Sequence, residues 1–167
     1  MSINTNDWKA LYNWILNMIS QTNLYIQKKN ILLANQVLQV AIQKCKRMVL
    51  IHKDYSCYLI YGSALIEKAK LSRTEERENL YTKACKKFEK AISLFKLNDG
   101  NENKQFSLYY NSGNSYLYLS NHFLKTTKGY EKKIDQYFQK AAEKFEQAFK
   151  IKPNSANSYQ NYAACKK

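Results

Sequence analysis

The sequence predicts an all-α fold built from antiparallel helix hairpins, about six or seven helices in total. Apolar residues recur at spacings of three and four along most of the chain, as one face of a helix requires. The 167 residues include one proline and four glycines, which leaves little material for strands joined by tight turns. With 45% apolar and 14% aromatic residues, the chain has enough apolar surface for a core without disulfides or metals. We therefore expect a single helical domain over residues 1–167.

One pattern of small and aromatic residues occurs twice. Ala141, Phe145 and Ala148 lie on one face of a helix, and Pro153 follows where it can end that helix. The same spacing occurs upstream in Ala84, Phe88 and Ala91. Each copy is preceded by an aromatic-rich segment with one glycine, Gly62 or Gly113. Small residues let two helices approach closely while a phenylalanine ring fills the gap, so the pattern indicates packed helix pairs.

The first two segments precede these copies. Residues 1–26 are predicted to form an N-terminal capping helix, amphipathic from about Asn6 to Ser20. Its apolar face contains Trp8, Leu11, Tyr12, Ile15 and Ile19. Residues 30–52 are interpreted as a divergent half repeat, because the small and bulky spacing returns there in degraded form as Ala41, Cys45 and Met48.

The remaining segments are two extended repeats and a final helix. Residues 55–97 form the first repeat, residues 105–153 form the second, and residues 154–167 form the C-terminal helix. A basic segment around Gly129 is predicted to form the tip of the second repeat.

These residues resemble the tetratricopeptide repeat, whose signature places an aromatic residue, a glycine and a tyrosine in the first helix and Ala, Phe or Tyr, Ala and Pro in the second. The first copy matches at Tyr58, Tyr61, Gly62, Leu65, Ala84, Phe88 and Ala91. The second copy matches at Tyr109, Gly113, Tyr116, Ala141, Phe145, Ala148 and Pro153, and a half copy follows at Tyr159, Tyr162 and Ala163. The resemblance implies a right-handed stack of hairpins.

The hairpins are longer than those of the ordinary repeat. Gly62 lies 22 residues before Ala84, and Gly113 lies 28 residues before Ala141. The usual 34-residue repeat allows about 12. In this respect the chain is similar to the plant-type small presequence receptor of the mitochondrial outer-membrane translocase, which has two extended repeats.

The resemblance also implies a groove that binds a partner, since in tetratricopeptide proteins the first helices of successive hairpins line a concave surface. The corresponding positions are Ser56, Leu59, Ile60, Ser63, Ile66, Tyr110, Asn111, Asn114, Tyr118, Asn157, Gln160 and Asn161. Apolar side chains there supply area, and amides pair with the backbone of a bound segment. A terminal helix of the chain itself is an alternative occupant.

The formal charge of +14 favours an anionic partner, either RNA or an acidic protein surface. Only three of the 27 basic residues are arginine, and bidentate phosphate recognition favours arginine. Solvated helix faces and an AT-rich genome are alternative sources of the lysines. The predicted basic patch comprises Lys28, Lys29, Lys44, Lys46, Arg47, Lys53, Lys125, Lys128, Lys132 and Lys133.

No motif for catalysis, phosphate binding or metal coordination is recognisable in the sequence. Four cysteines are scattered without a paired motif, and the two histidines are distant from each other. We expect no enzyme activity, cofactor or metal, and we expect reduced, mostly buried thiols in an intracellular, reducing compartment. No run of residues is apolar enough for a transmembrane segment, and no secretory signal is recognisable.

The sequence thus favours a non-catalytic adaptor or structural subunit of a larger complex, which docks protein partners. Two alternatives remain open at this point. One is a mitochondrial presequence-receptor-like protein of the import machinery, and the other is an RNA-binding peripheral ribosomal subunit.

Overall fold

The computed structural model describes residues 7–95, 101–126 and 129–166. These residues form seven helices and no strand, which confirms the all-α fold class. The helices are α1 (Asp7–Gln27), α2 (Ile31–Ile51), α3 (Tyr55–Leu71), α4 (Thr74–Leu94), α5 (Glu102–Thr126), α6 (Glu131–Ile151) and α7 (Ala156–Cys165). Neighbouring helices pack in hairpin-like pairs.

The chain divides into two compact units, Met1–Leu94 and Phe95–Lys167. In the first unit α1 packs on α2, α2 on α3, and α3 on α4, while α1 also touches α3. In the second unit α5 packs on α6, and α7 packs mainly on α6 and also touches α5. Each unit is thus a small helical body with its own contacts, and the expected single domain stays a prediction.

The helix α1 ends at Gln27, beyond Ser20, where the amphipathic pattern in the sequence ends. Thr22 interrupts the apolar pattern but is fully buried, and its hydroxyl donates to the Met18 carbonyl oxygen at 2.9 Å. The helix then ends with Lys29 in the left-handed region, at φ 57°. The Asn30 amide donates to the Tyr25 carbonyl and the Lys29 amide to the Ile26 carbonyl, the two bonds of a Schellman motif.

Side-chain caps begin the next two helices. Asn30 Oδ1 accepts a hydrogen bond from the Leu33 amide at 3.2 Å and begins α2. Asp54 Oδ1 accepts from the Ser56 amide at 2.9 Å and begins α3. Each cap satisfies an amide that the first turn of a helix leaves without a partner. The caps fix short connections between α1, α2 and α3, so these helices pack antiparallel.

Two glycine–phenylalanine contacts hold the hairpins α3–α4 and α5–α6 together. Phe88 and Phe145 are only 1% and 0% exposed. A Cβ atom placed on Gly62 would lie 2.7 Å from the ring of Phe88, and one on Gly113 would lie 2.7 Å from the ring of Phe145. Real Cβ atoms do not approach rings this closely, so each glycine is needed to admit the ring.

The helix α2 has the same buried face as α4 and α6. Ala41, Ile42, Cys45 and Met48 are buried, at the spacing of the buried residues of α6. These are Ala141, Ala142, Phe145 and Ala148. The degraded spacing noted in the sequence therefore corresponds to a third helix of the same kind, with a thiol in the place of the ring.

Serine hydroxyls inside α5 bond to carbonyls of their own helix. Ser115 Oγ donates to the Ser112 carbonyl at 2.7 Å, and Ser120 Oγ donates to the Tyr116 carbonyl at 2.8 Å. Both serines are fully buried. Hydroxyls satisfied in this way can be buried without a hydrogen-bond partner on another helix.

None of the seven helices described combines the length and the apolar character that crossing a bilayer requires.

We predict that Gly62→Ala destabilises the first unit, although alanine normally stabilises a helix by about 1 kcal/mol relative to glycine. The new Cβ overlaps the ring of Phe88, so the expected loss is about 1–3 kcal/mol. When Gly62→Ala is combined with Phe88→Leu, the smaller leucine side chain relieves the overlap. The double variant Gly62→Ala/Phe88→Leu should therefore be more stable than the sum of the two single losses predicts. The measurement is urea unfolding followed by the fluorescence of Trp8 and Trp14, the two tryptophans of the chain.

Lys86→Ala on the exposed side of α4 is the control, with an expected change within about 0.5 kcal/mol. Additive losses for Gly62→Ala and Phe88→Leu would contradict the proposed contact.

Candidate functional site

The predicted groove residues of α3 contribute mainly to the local structure of the first unit. Ile60 and Ile66 are buried, so they belong to the core. Ser63 Oγ donates to the Leu59 carbonyl, and Ser56 Oγ donates to Asp54 Oδ1. Ser56, Leu59 and Ser63 are partly exposed, and their role in partner binding stays a prediction.

The predicted groove residues of the second unit include a polar contact between α5 and α7. Asn161 Nδ2 donates to Asn114 Oδ1 at 3.1 Å and lies 3.4 Å from the hydroxyl oxygen of Tyr110. The ring of Tyr110 also meets the ring of Phe145 edge-on, with centroids 5.9 Å apart. Tyr110, Asn114 and Asn161 are three of the positions taken from the repeat signature. They lie together in the structure, where they hold α7 against α5.

The other predicted groove residues of this unit vary in exposure. Asn111 Nδ2 donates to the Ser107 carbonyl of its own helix, Tyr118 is partly exposed, and Asn157 and Gln160 are exposed. Their role in partner binding stays a prediction.

The predicted basic patch of the first unit is spread over two ends of α2. Lys28 and Lys29 precede the helix and Lys53 follows it, a separation of roughly 35 Å at 1.5 Å per residue. Lys44 lies over the ring of Trp14, with Nζ 3.3 Å from the ring centroid, while the exposed Lys46 and Arg47 lie on other faces. A single patch is therefore not formed here.

The predicted basic residues of the second unit lie near the α5–α6 connection. Lys125 and Lys132 are exposed, and Lys133 is partly exposed with Nζ 4.4 Å from the ring centroid of Phe123. Lys128 lies outside the described residues.

A groove of about 610 Å³ lies in the first unit between α2 and α4, with α3 as its floor. We call it the lysine groove. Its lining combines an apolar centre with charged ends and comprises Gln39, Ile42, Lys46, Tyr61, Leu65, Lys68, Glu75, Glu76, Asn79, Leu80, Lys83 and Lys87. This volume is in the range of sites that hold a ligand or a short peptide segment.

Three of the four lysines of the groove lie at the end away from its two glutamates, and Lys68 lies near the glutamates. The helices α2 and α4 are each antiparallel to α3, so they run parallel to each other. Lys46, in the second half of α2, therefore lies level with Lys83 and Lys87 and not with the start of α4. Glu75 and Glu76 lie in the first turn of α4, roughly 12–18 Å away along the helix axis. One end of the groove therefore has three lysines.

Lys87 is the least exposed of these lysines. Its Nζ lies 4.7 Å from the ring centroid of Tyr61 and 5.7 Å from that of Tyr58. Burial lowers the pKa of Lys87 from its ordinary value. The tyrosine rings favour the charged ammonium, and an incoming carboxylate would favour it further.

Lys68 lies near the other end, where its Nζ donates to Asn35 Oδ1 at 3.0 Å. Lys68, Lys83 and Lys87 are not among the residues predicted from the sequence, because the predicted groove takes its positions from the motif of the first helices alone. The spacing of four between Lys83 and Lys87 was visible in the sequence, but the wall that α2 provides was not.

Three of the four cysteines are buried and form no disulfide. Burial raises the pKa of Cys45 to about 12, with a further contribution from Cys57. Burial, and then the charge of Asp54, raise the pKa of Cys57 to about 11. Cys85 is also buried, and the partly exposed Cys165 has its pKa raised to about 11 by desolvation. Thiols in these environments are poor nucleophiles at neutral pH.

Among the described residues, no three or more His, Cys, Asp and Glu side chains form a group that could hold a metal ion.

Comparison with protein-family models and with curated proteins found no match to the chain.

We predict that the first unit loses stability in alkaline solution through Cys45 and Cys57. The pKa of each thiol is higher in the folded chain than in the unfolded chain, so the protonated thiol stabilises the fold. This stabilisation is complete below the unfolded-state pKa of 9.0 and is lost as pH rises toward the folded-state pKa values of about 12 and about 11. The maximum slope is about 1.4 kcal/mol per pH unit for each thiol. Urea unfolding between pH 8 and 11, followed by tryptophan fluorescence, measures this loss.

The double variant Cys45→Ala/Cys57→Ala should show a shallower decline over the same range, whatever its stability at pH 8. Cys165→Ala serves as the control, and its decline should match that of the parent chain. An unchanged slope in the double variant would contradict the prediction.

Proposed function

We propose that this chain is a non-catalytic helical-repeat protein that binds an acidic segment of a protein partner, as an adaptor or subunit of a larger assembly. The observation that carries the proposal is the lysine groove. Three lysines stand at one end of a groove of about 610 Å³ whose centre is apolar, with Ile42, Leu65 and Leu80. An acidic segment with apolar residues fits this arrangement, because the apolar centre supplies area and the lysines supply charge complementarity.

The environment of Lys87 supports a protein ligand. Its ammonium is held against the rings of Tyr58 and Tyr61, so it is positioned before a partner arrives. A positioned cation loses less conformational entropy on binding than a free surface lysine does. Carboxylates of a peptide are the simplest ligands for such a cation.

RNA is the second candidate, because phosphates also bind lysine clusters. The lysine groove contains no arginine, and its other end carries Glu75 and Glu76, which oppose a continuous phosphate backbone. We therefore favour a peptide with its acidic residues near the lysine end. The presequence-receptor hypothesis stays a prediction.

We predict that a fluorescein-labelled peptide of roughly 15 residues, with acidic residues followed by leucines, binds at about 150 mM salt. In Lys83→Glu/Lys87→Gln the affinity should fall at least about tenfold, corresponding to about 1.4 kcal/mol. The matched control is Lys86→Glu/Lys90→Gln, which makes the same charge change with the same spacing on another face of α4. Its affinity should stay within about threefold of that of the parent chain, by fluorescence anisotropy.

A single-stranded RNA of roughly 20 nucleotides is tested beside the peptide. Equal losses of peptide affinity in the two variants would show that diffuse charge, not the groove, attracts the peptide. RNA that binds more tightly than the peptide and is sensitive to Lys83→Glu/Lys87→Gln would favour the RNA candidate instead. Circular dichroism confirms that both variants remain helical.

A further inference from the structure

The last two helices repeat the arrangement of α2 and α3. The buried face of α6 matches that of α2 at a constant offset of 100 residues, from Ala41 and Ala141 onward. Tyr159 and Tyr162 of α7 have the spacing of Tyr58 and Tyr61 of α3, and Ala163 takes the position of Gly62. The pair α6–α7 is thus equivalent to the pair α2–α3.

The exposed residues of α7 mark the position that α4 fills in the first unit. Tyr61 and Gly62 are buried because α4 packs against α3. The equivalent Tyr162 and Ala163 are partly exposed, and Tyr159 is 60% exposed. In the described part of the second unit, α7 packs on α6 and α5 and on no further helix.

A surface groove of about 420 Å³ occupies this position. We call it the α6–α7 face. Phe138, Ala142 and Tyr162 contribute apolar atoms to it, and Asp135, Glu143 and Glu146 contribute carboxylates. Gln139, Ala142 and Glu146 of this lining are the equivalents of Gln39, Ile42 and Lys46 in the lysine groove.

The charge of the two equivalent faces differs in sign. Asn35, Gln43 and Lys46 of α2 correspond to Asp135, Glu143 and Glu146 of α6. One face therefore carries a single positive charge at these positions, and the other carries three negative charges. Two cations oppose these carboxylates locally, Lys166 within the lining and Lys150, whose Nζ lies 3.1 Å from Glu146 Oε1, which leaves Asp135 and Glu143 as the carboxylates without such an ion pair. A basic ligand is complementary to this face.

The distance dependence of these interactions favours local charge over net charge. At physiological salt, exposed charges more than about 8 Å apart are largely screened. The nearby carboxylates of the α6–α7 face therefore act on a bound cation more strongly than the distant lysines of the chain.

The residue at position 163 restricts the shape of a helix that packs here. In the first unit a Cβ on Gly62 would lie 2.7 Å from the ring of Phe88. Ala163 has such a Cβ at the equivalent position, so a helix in the place of α4 needs a side chain smaller than phenylalanine opposite it. Leucine or cysteine meets this need.

From these observations we propose that the α6–α7 face binds a basic amphipathic helix of a protein partner. The helix takes the position on α7 that α4 takes on α3, its lysines or arginines face Asp135, Glu143 and Glu146, and a residue smaller than phenylalanine lies opposite Ala163. This site lies in the second unit and takes a ligand of opposite charge to that of the lysine groove, so the two proposals fail independently.

The test uses labelled helical peptides of roughly 20 residues and the full chain. The first peptide has lysines on its polar face and the spacing Ala-x3-Leu-x2-Ala on its apolar face. The second replaces this leucine with phenylalanine, and the third replaces the lysines with glutamates. The first should bind most tightly, with a preference of about tenfold over the second because of overlap with Ala163.

Substitutions in the chain separate the two contributions. Glu143→Gln/Glu146→Gln should weaken binding of the first peptide about three- to tenfold, the range for two exposed ion pairs. The matched control is Glu102→Gln/Glu131→Gln, two exposed acids elsewhere in the second unit, with an expected change below about twofold. The variant Ala163→Gly should bind the second peptide more tightly than the parent chain does. Partial unfolding of the variant could not produce such a gain in affinity.

Three results would overturn the proposal. One is equal or tighter binding of the glutamate peptide, and another is equal weakening in the two glutamine variants. The third is sedimentation showing that the chain associates with itself and that Glu143→Gln/Glu146→Gln abolishes this association, since the occupant is then a second copy. An unchanged peptide preference in Ala163→Gly would refute the packing opposite position 163.

Discussion

The close approach of α3 to α4, and of α5 to α6, depends on one kind of contact, a phenylalanine ring against a glycine on the facing helix. Phe88 meets Gly62, and Phe145 meets Gly113, at distances that leave no room for even a methyl group. The ring lies at the centre of each hairpin, and the missing side chain of the glycine leaves the space for it. Buried alanines lie one turn to either side of each ring, at positions 84 and 91 in α4 and 141 and 148 in α6.

The variation among the equivalent positions shows how one architecture presents different surfaces. The buried face is nearly the same in α2, α4 and α6, while the neighbouring exposed face changes from Lys46 in α2 to Glu146 in α6. Because exposed charges contribute little to helix stability, these positions are free to differ while the core is kept. The two grooves therefore lie at equivalent positions of the repeat, and the proposed ligands differ in charge for this reason.

The fold was largely predictable from the sequence, because the spacing of Ala, Phe and Ala and the paired glycines specify helix pairs. The end of α1 was not, since the buried Thr22 satisfies its hydroxyl on its own helix and looks from the sequence like a surface residue. Asn114 and Asn161 were both predicted as groove positions, but the hydrogen bond between them was not predicted, and their role in partner binding stays a prediction. The lysine groove was missed because its walls, α2 and α4, are the second helices of successive pairs, and only packing shows that Lys46 lies level with Lys87.

The hydroxyls of Ser115 and Ser120 form their hydrogen bonds within α5, so no polar bond from them fixes α5 against α6. If either serine were replaced by alanine, every hydrogen-bonding group on α6 would keep its partner. Any side chain at Gly113, by contrast, would collide with the ring of Phe145. During evolution these two buried positions can therefore accept alanine in place of serine, whereas the glycine position cannot accept any side chain. Relatives too divergent for ordinary sequence matching should still be recognisable by the glycine and the aromatic residue that faces it.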